Sequence, residues 1–233
     1  MLATTAQPAR TSPPVTPIPT RSAGLSGSPV PYELGMELQT AAAERVRNGE
    51  DRGTLLLLEH EPVYTAGRRS LPEEYPRDGT RVIPVDRGGK VTWHGPGQLV
   101  AYPVIRLRER YRVVELVRVL EGALIEVARE FGVEGFRVEG RSGVWVDEAE
   151  RGADPSPAKI AQIGLHTSDG IVTHGIALNC SNSLEPFGRF IPCGISDAGV
   201  TTLSRVRGAE VTPREVAPVL EAAFVSVFEE VAE

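Results

Sequence analysis

The sequence predicts a mixed α/β fold of the α+β kind: one compact domain in which a mixed sheet is flanked by helices. Three observations carry this. The 233 residues are 41% hydrophobic and 24% charged, an ordinary globular composition with enough apolar material for one real core. Strand-like and helix-like stretches are mixed without the regular alternation that a doubly wound sheet requires. Two β-rich runs, Lys159 to Leu165 and Gly170 to Asn179, meet at Ser168-Asp169-Gly170, where an Asp-Gly step between apolar runs signals a hairpin.

The elements follow in order. Residues 1–31 hold seven of the 19 prolines and no acidic residue, so they cannot bury enough apolar surface to offset ordering and are expected to be a flexible tail. The domain then runs from residue 32 to 233. Tyr32 to Asn48 reads as a helix with Leu34, Leu38, Ala41, Ala42 and Val46 on one side and Gly49 as its stop. Thr54 to Leu58, Arg81 to Val85, Gln98 to Ile105 and Ser142 to Asp147 read as strands, and Glu148 to Ala158 as a polar loop. Between the second and third of these strands, Asp86 to Gly97 carries four glycines, which suit either a tight connection or a backbone that approaches a ligand closely. The clearest helix is Arg112 to Phe131, whose apolar positions make one face before Gly132. Val200 to Leu203 is expected to be short and extended. The last helix opens on Thr212-Pro213-Arg214-Glu215, a capping box with proline in the first turn.

Composition also excludes classes of function. A formal charge of −6 and a pI near 5.4 give no reason to expect nucleic acid or an anionic membrane as partner. No apolar run approaches the roughly 20 residues that a bilayer needs. Two cysteines make no disulfide framework, and no signal-peptide core follows Met1, so a cytoplasmic location is expected. Without a C-x-x-C or H-x-x-x-H pair no metal site is expected, and neither phosphate-loop pattern is present.

The chemistry-bearing residues concentrate between Lys159 and Cys193. Of the 25 basic residues, only Lys90 and Lys159 are lysines. An ammonium, unlike a guanidinium, can be tuned to release and accept protons, which makes Lys159 a candidate acid/base group. Cys193 sits in Ile191-Pro192-Cys193-Gly194, an irregular setting suited to holding an accessible sulfur, whereas Cys180 continues an alternating apolar run and reads as a packed core thiol. His60, between two glutamates at a strand end, reads as structural.

Taken in order, Arg87-Gly88-Gly89-Lys90-Val91-Thr92-Trp93-His94-Gly95-Pro96-Gly97-Gln98, Lys159-Ile160-Ala161 with Gly164, His174-Gly175-Ile176-Ala177-Leu178-Asn179, and Pro192-Cys193-Gly194 resemble the lipoate-protein-B family of octanoyltransferases. The resemblance covers Tyr32 to Leu203. It implies a domain like the catalytic domain of biotin and lipoate protein ligases, acting as a cytoplasmic monomer without a cofactor. It implies transfer of an octanoyl group from octanoyl-acyl-carrier protein to a lysine of lipoyl domains, those of 2-oxoacid dehydrogenase E2 subunits and the glycine cleavage H protein.

By motif, Cys193 matches the family's acyl-thioester nucleophile, and Lys159 the lysine that lowers the thiol's pKa and shuttles protons. The implied substrate-binding residues are Arg87, Gly88, Gly89, Lys90, Val91, Thr92, Trp93 and His94, then Gln162, Ile163 and Gly164, then Gly175, Ile176 and Ala177. Trp93, Lys90 and Cys180 depart from the usual pattern, which bears on pocket size and acyl length. An acidic carrier would be met by exposed arginines, with Arg68, Arg69, Arg108 and Arg110 as candidates. Competing readings are a Cys193/His174/Asn179 hydrolase, an ATP-dependent ligase of the same fold, and an acyl- or carrier-binding module in which Cys193 is only a small buried hydrophobe.

Overall fold

The computed structural model describes residues 17–77, 79–148, 156–190 and 199–233. In chain order these form β1 (Thr20–Ala23), α1 (Tyr32–Arg47), β2 (Gly53–Leu58), β3 (Val63–Ala66), β4 (Val82–Pro84), β5 (Val91–His94), β6 (Gln98–Arg106), α2 (Val113–Glu130), β7 (Phe136–Val138), β8 (Arg141–Glu148), β9 (Ser156–Ser168), β10 (Ile171–Asn179), β11 (Gly199–Val200), α3 (Leu203–Arg207) and α4 (Pro213–Val231). The main sheet runs β1-β2-β6-β10-β9-β8-β7, with β11 beside β9, and a small sheet runs β4-β3-β5. Both sheets are mixed: β1–β2, β9–β11 and β3–β4 are parallel, and the other pairs antiparallel.

The expected hairpin is β9–β10, paired from Ile171↔Ser168 to Leu178↔Ala161. Asp169 and Gly170 turn it with φ of +52° and +74°, the left-handed pair that a tight two-residue turn requires. β2 is buried throughout because both of its faces are covered. Leu55 and Leu57 join Leu99, Ala101 and Ile105 of β6 beneath α2 and α4, whereas Leu56 and Leu58 join Val100, Tyr102 and Val104 against α1. Each fully buried leucine contributes roughly 1.5–3 kcal/mol to this sandwich. The α2 stripe reads as expected in Leu116, Leu120, Leu124, Val127 and Ala128, but it also carries a fully buried carboxylate, Glu121. At α4 the expected box forms: Thr212 Oγ1 accepts from Glu215 N, and Thr212 N donates to the Glu215 carboxylate over 2.8 Å.

Several expectations change. Residues 1–16 lie outside the described residues, but Thr20–Ala23, within the stretch expected to be a tail, adds a parallel edge strand to β2, and Ile18 enters the core. The buried side of α1 is Gly35, Gln39, Ala42, Ala43 and Val46, while Leu34 is exposed. The face is turned because Gly35 makes room for the His60 imidazole and Gln39 is drawn inward to a hydrogen bond. Inside the glycine-rich stretch, Val91–His94 forms a strand on β3. Of Val200 to Leu203 only Val200 is in a strand, and Leu203 opens α3 with Thr202 as its cap. Arg108 and Arg110 are engaged at the end of α4: Arg108 donates to the carbonyls of Ala232 (2.7 Å) and Glu229 (3.1 Å), and Arg110 to that of Glu230 (3.2 Å). A cation there satisfies terminal carbonyls and favours the helix dipole. Among the described residues no helix is long and apolar enough to cross a membrane.

Candidate active site

A cavity of about 230 Å³ lies between the glycine-rich loop with β5 on one side and β9 with β10 on the other. In β5, strand alternation decides which predicted residues reach it. From the first predicted segment, Arg87, Gly88, Gly89, Lys90, Thr92 and His94 line it. Val91 and Trp93 do not: they point across the small sheet into a cluster with Tyr64, Phe187 and Phe190, and the Trp93 ring sits 5.7 Å from that of Phe187. Gln162, Ile163, Gly164, Gly175, Ile176, Ala177 and Lys159 all line the cavity. Residues missed from the sequence are Tyr32, Tyr102, Gly140, Arg141 and Ser142, which non-local packing brings to the wall, and Arg69 and His174, named in the sequence only for other roles, line it as well.

Arg87 shapes the loop. Its Nη1 donates to the carbonyls of Gly88 (3.0 Å) and Lys90 (2.8 Å), and its Nη2 to the carbonyl and hydroxyl of Thr65 (2.9 and 2.8 Å), so a buried guanidinium stitches the loop to β3. Gly88 N also donates to the Leu165 carbonyl over 2.8 Å. That close approach demands Gly164, where a Cβ would stand 3.0 Å from both the Gly88 carbonyl oxygen and Arg87 Cδ. Lys90 pairs with the Glu74 carboxylate.

Lys159 is differently placed. It is 5% exposed, and its ammonium lies 4.5 Å from the centroid of the Trp145 ring, a cation–π contact that holds the cation without neutralising it. No carboxylate among the described residues pairs with it. Nearby, both amide atoms of Gln162 and the hydroxyl of Thr92 are buried without a hydrogen-bond partner among the described residues. Buried polar groups are normally satisfied, so these atoms mark where a bound ligand's polar group fits.

All four histidines of the chain surround this region. His60 Nε2 is 2.8 Å from Tyr102 Oη, and burial pushes its pKa down to about 4. His94 Nδ1 is 2.8 Å from Gln98 Oε1; burial, together with the neighbouring His60 and Arg87, pushes it down to about 3. Both rings are therefore neutral in the folded protein. Burial also pushes the Tyr32 hydroxyl up to about 12 and Tyr102 well above its ordinary value, so neither phenol is an acid here at neutral pH. His174, at φ +58°, donates its N–H to Gln39 Oε1 (2.6 Å), and its Nε2 lies 2.6 Å from Asp86. Burial lowers its pKa despite that carboxylate. His166 meets the other Asp86 oxygen at 3.4 Å. Partial burial pushes the Asp86 carboxyl up, but the hydrogen bond and charge of His174 and the charge of His166 outweigh this and hold it below its ordinary value.

Behind the pocket a chain of amides runs from His94 through Gln98 to Asn179 (2.9 Å) and on to the Thr201 carbonyl (3.0 Å), and Thr201 N donates to the Lys159 carbonyl (3.0 Å). This removes the hydrolase set, because Asn179 is engaged away from His174. His174 is committed elsewhere, its Nε2 to Asp86 and its ring against Tyr102.

Cys193 lies outside the described residues. The chain leaves Phe190, packed on Tyr64 at 5.5 Å between ring centroids, and returns at Gly199, whose neighbour Val200 is the register partner of Lys159. Cys180 is fully buried, and burial raises its thiol far above the ordinary value, so it is the core thiol expected of it.

The family model described as the lipoyl protein ligase A/B catalytic domain matches residues 31–225. An octanoyltransferase of Leifsonia xyli subsp. xyli is 53% identical over 205 residues, covering 88% of this chain and 90% of that protein. One of Nocardia farcinica is 52% identical over 212 residues, covering 90% and 81%. Among solved structures, a bipartite lipoate protein ligase of Thermoplasma acidophilum superposes with a TM-score of 0.67 at 16% identity over 91% of this chain and 83% of that one. Lipoate-protein ligase A bound with ATP superposes with a TM-score of 0.66 at 17% identity over 91% and 86%. At such identities these two establish the fold, and the octanoyltransferases establish the kinship. The chain belongs to the lipoyl protein ligase A/B catalytic domain family.

Proposed function

We propose that this protein is an octanoyltransferase of protein lipoylation, moving an octanoyl group from octanoyl-acyl-carrier protein to a lysine of a lipoyl domain through a thioester on Cys193. The observation that carries the reading is the buried Lys159 ammonium, unpaired with any carboxylate among the described residues, at the wall of a pocket whose Gln162 amide awaits a polar partner. A cation in that position favours a thiolate. The Cys193 thiolate attacks the donor carbonyl, the carbon–sulfur bond to the carrier breaks, and the carrier thiolate leaves with a proton from Lys159. The acceptor amine then attacks the Cys193 thioester, neutral Lys159 takes the amine's proton, and Cys193 departs as thiolate, restoring the starting pair. The Gln162 N–H is suited to the acyl carbonyl oxygen, and Ile163, Ile176 and Ala177 to the alkyl chain. The acceptors are lipoyl domains such as those of 2-oxoacid dehydrogenase E2 subunits and the glycine cleavage H protein. Exposed Arg68 and Arg69, the latter at the pocket, fit an acidic carrier.

An acyl thioester is already activated, so transfer needs no nucleotide. With purified octanoyl-carrier donor and a lipoyl domain, octanoyl-lysine is expected at the same rate with and without ATP and magnesium. Product that forms from free octanoate only when ATP is present would replace this reading by the ligase one.

A further inference from the structure

We propose that Glu121, on the α2 side of the main sheet, is the positioning residue that aims Lys159 into the pocket. The proposal rests on the reading of Lys159 as the proton-moving group and adds the device that directs it.

The observation is one of strand phase. Along β9, Gln162 and Gly164 line the pocket, whereas Ala161 and Leu165 lie in the core and Ile163 between them packs against that core while also touching the pocket. In a regular strand Lys159 would follow Ala161, two positions away, into that core. Instead the β8–β9 register steps from Val144↔Ala161 to Trp145↔Lys159, so two positions of β9 pass for one of β8. This is a β-bulge, and bulges re-aim side chains. Ile160 and Ala161 both face the core, and Lys159 emerges on the pocket side three residues from Gln162.

At the bulge Gly143 stands at φ +109°, where a Cβ would strike the Ala161 carbonyl oxygen and lie 3.4 Å from Cδ and Cε of Lys159. The Gly143 N–H donates to Glu121 Oε1 over 2.9 Å, and Glu121 Oε2 accepts from Arg118 Nη1 at 2.7 Å and Arg137 Nε at 3.2 Å. A fully buried carboxylate on an apolar helix stripe is costly to desolvate. Its partners account for it: two arginines offset the charge, and the remaining oxygen pins the backbone where the register shifts.

The chain has two lysines, so lysine labelled with ¹³C at Cε gives two side-chain signals, assigned with Lys90→Arg. That of Lys159 carries a ring-current shift from Trp145. Glu121→Asp keeps a charge between the arginines but is one methylene short of Gly143, and Glu121→Leu removes the acceptor altogether. In both, the Lys159 signal is expected to move toward an ordinary lysine position and kcat for transfer to fall ~10²-fold, as displaced catalytic groups do, with KM for the donor unchanged. Glu121→Gln, whose carbonyl oxygen can still accept from Gly143, is expected to retain the shifted signal and most of kcat. A Lys159 signal left in place in folded Glu121→Asp or Glu121→Leu overturns the proposal. The spectral result does not depend on what Lys159 does chemically, so it separates this proposal from the reading beneath it.

Discussion

Lys159→Arg is expected to lose ~10²–10⁴ of the transfer rate, the range typical of losing a general base, and so to be nearly as inactive as Lys159→Ala. The positive charge and the contact with the Trp145 ring can both survive in the arginine. A guanidinium, with a pKa above about 12, cannot take the proton of the attacking amine. The two half-reactions should therefore separate. Arginine at 159 still helps to ionise Cys193 and permits part of its acylation, whereas passage of the octanoyl group to the lipoyl-domain lysine stalls. Single-turnover measurement of each half decides the matter. Transfer by Lys159→Arg at close to the wild-type rate would reduce Lys159 to an electrostatic partner of the thiol.

Folding stability is expected to fall steeply on acidification from pH 6.5 toward 4, because His60 and His94 are buried in neutral form. His60 and His94 have folded pKa values of about 4 and about 3 against an ordinary 6.5. Between those values the unfolded chain binds protons that the folded chain refuses, so the stabilisation present above pH 6.5 is lost as the pH drops. Each ring contributes a slope of up to about 1.4 kcal/mol per pH unit. His60→Gln should remove about one proton's worth of that slope. Denaturant unfolding at a series of pH values tests this, and equal stability at pH 6.5 and 4.5 would mean that these imidazoles are protonated in the folded state.

What the sequence reveals of this molecule is what local pattern encodes. The β9–β10 hairpin, α2 and the α4 cap are legible because an Asp-Gly turn, a 3.6-residue stripe and a Thr-Pro-Arg-Glu box are short-range signals. The strand Val91–His94 is not, because four residues between glycines become a strand only by pairing with β3, far away in the chain. Gln39 and Glu121 are polar side chains that no apolar pattern marks as core, yet both are buried, one holding the His174 backbone and the other that of Gly143. Each breaks its helix pattern to support the pocket wall. The direction of Lys159 is likewise hidden, since simple alternation puts it with Ala161 and only the register shift puts it with Gln162. The candidate pocket was legible through motif resemblance, but which residues face inward was not: Val91 and Trp93 sit within the motif and point out of the pocket.

The most direct test of the central claim is the mass of the intact protein after mixing with octanoyl-carrier donor in the absence of acceptor, followed by peptide mapping. One octanoyl group is expected, on the peptide containing Cys193 and not on that containing Cys180, removed when a lipoyl domain is added and absent from Cys193→Ala. An adduct on Cys180, or undiminished transfer by Cys193→Ala, would contradict the account.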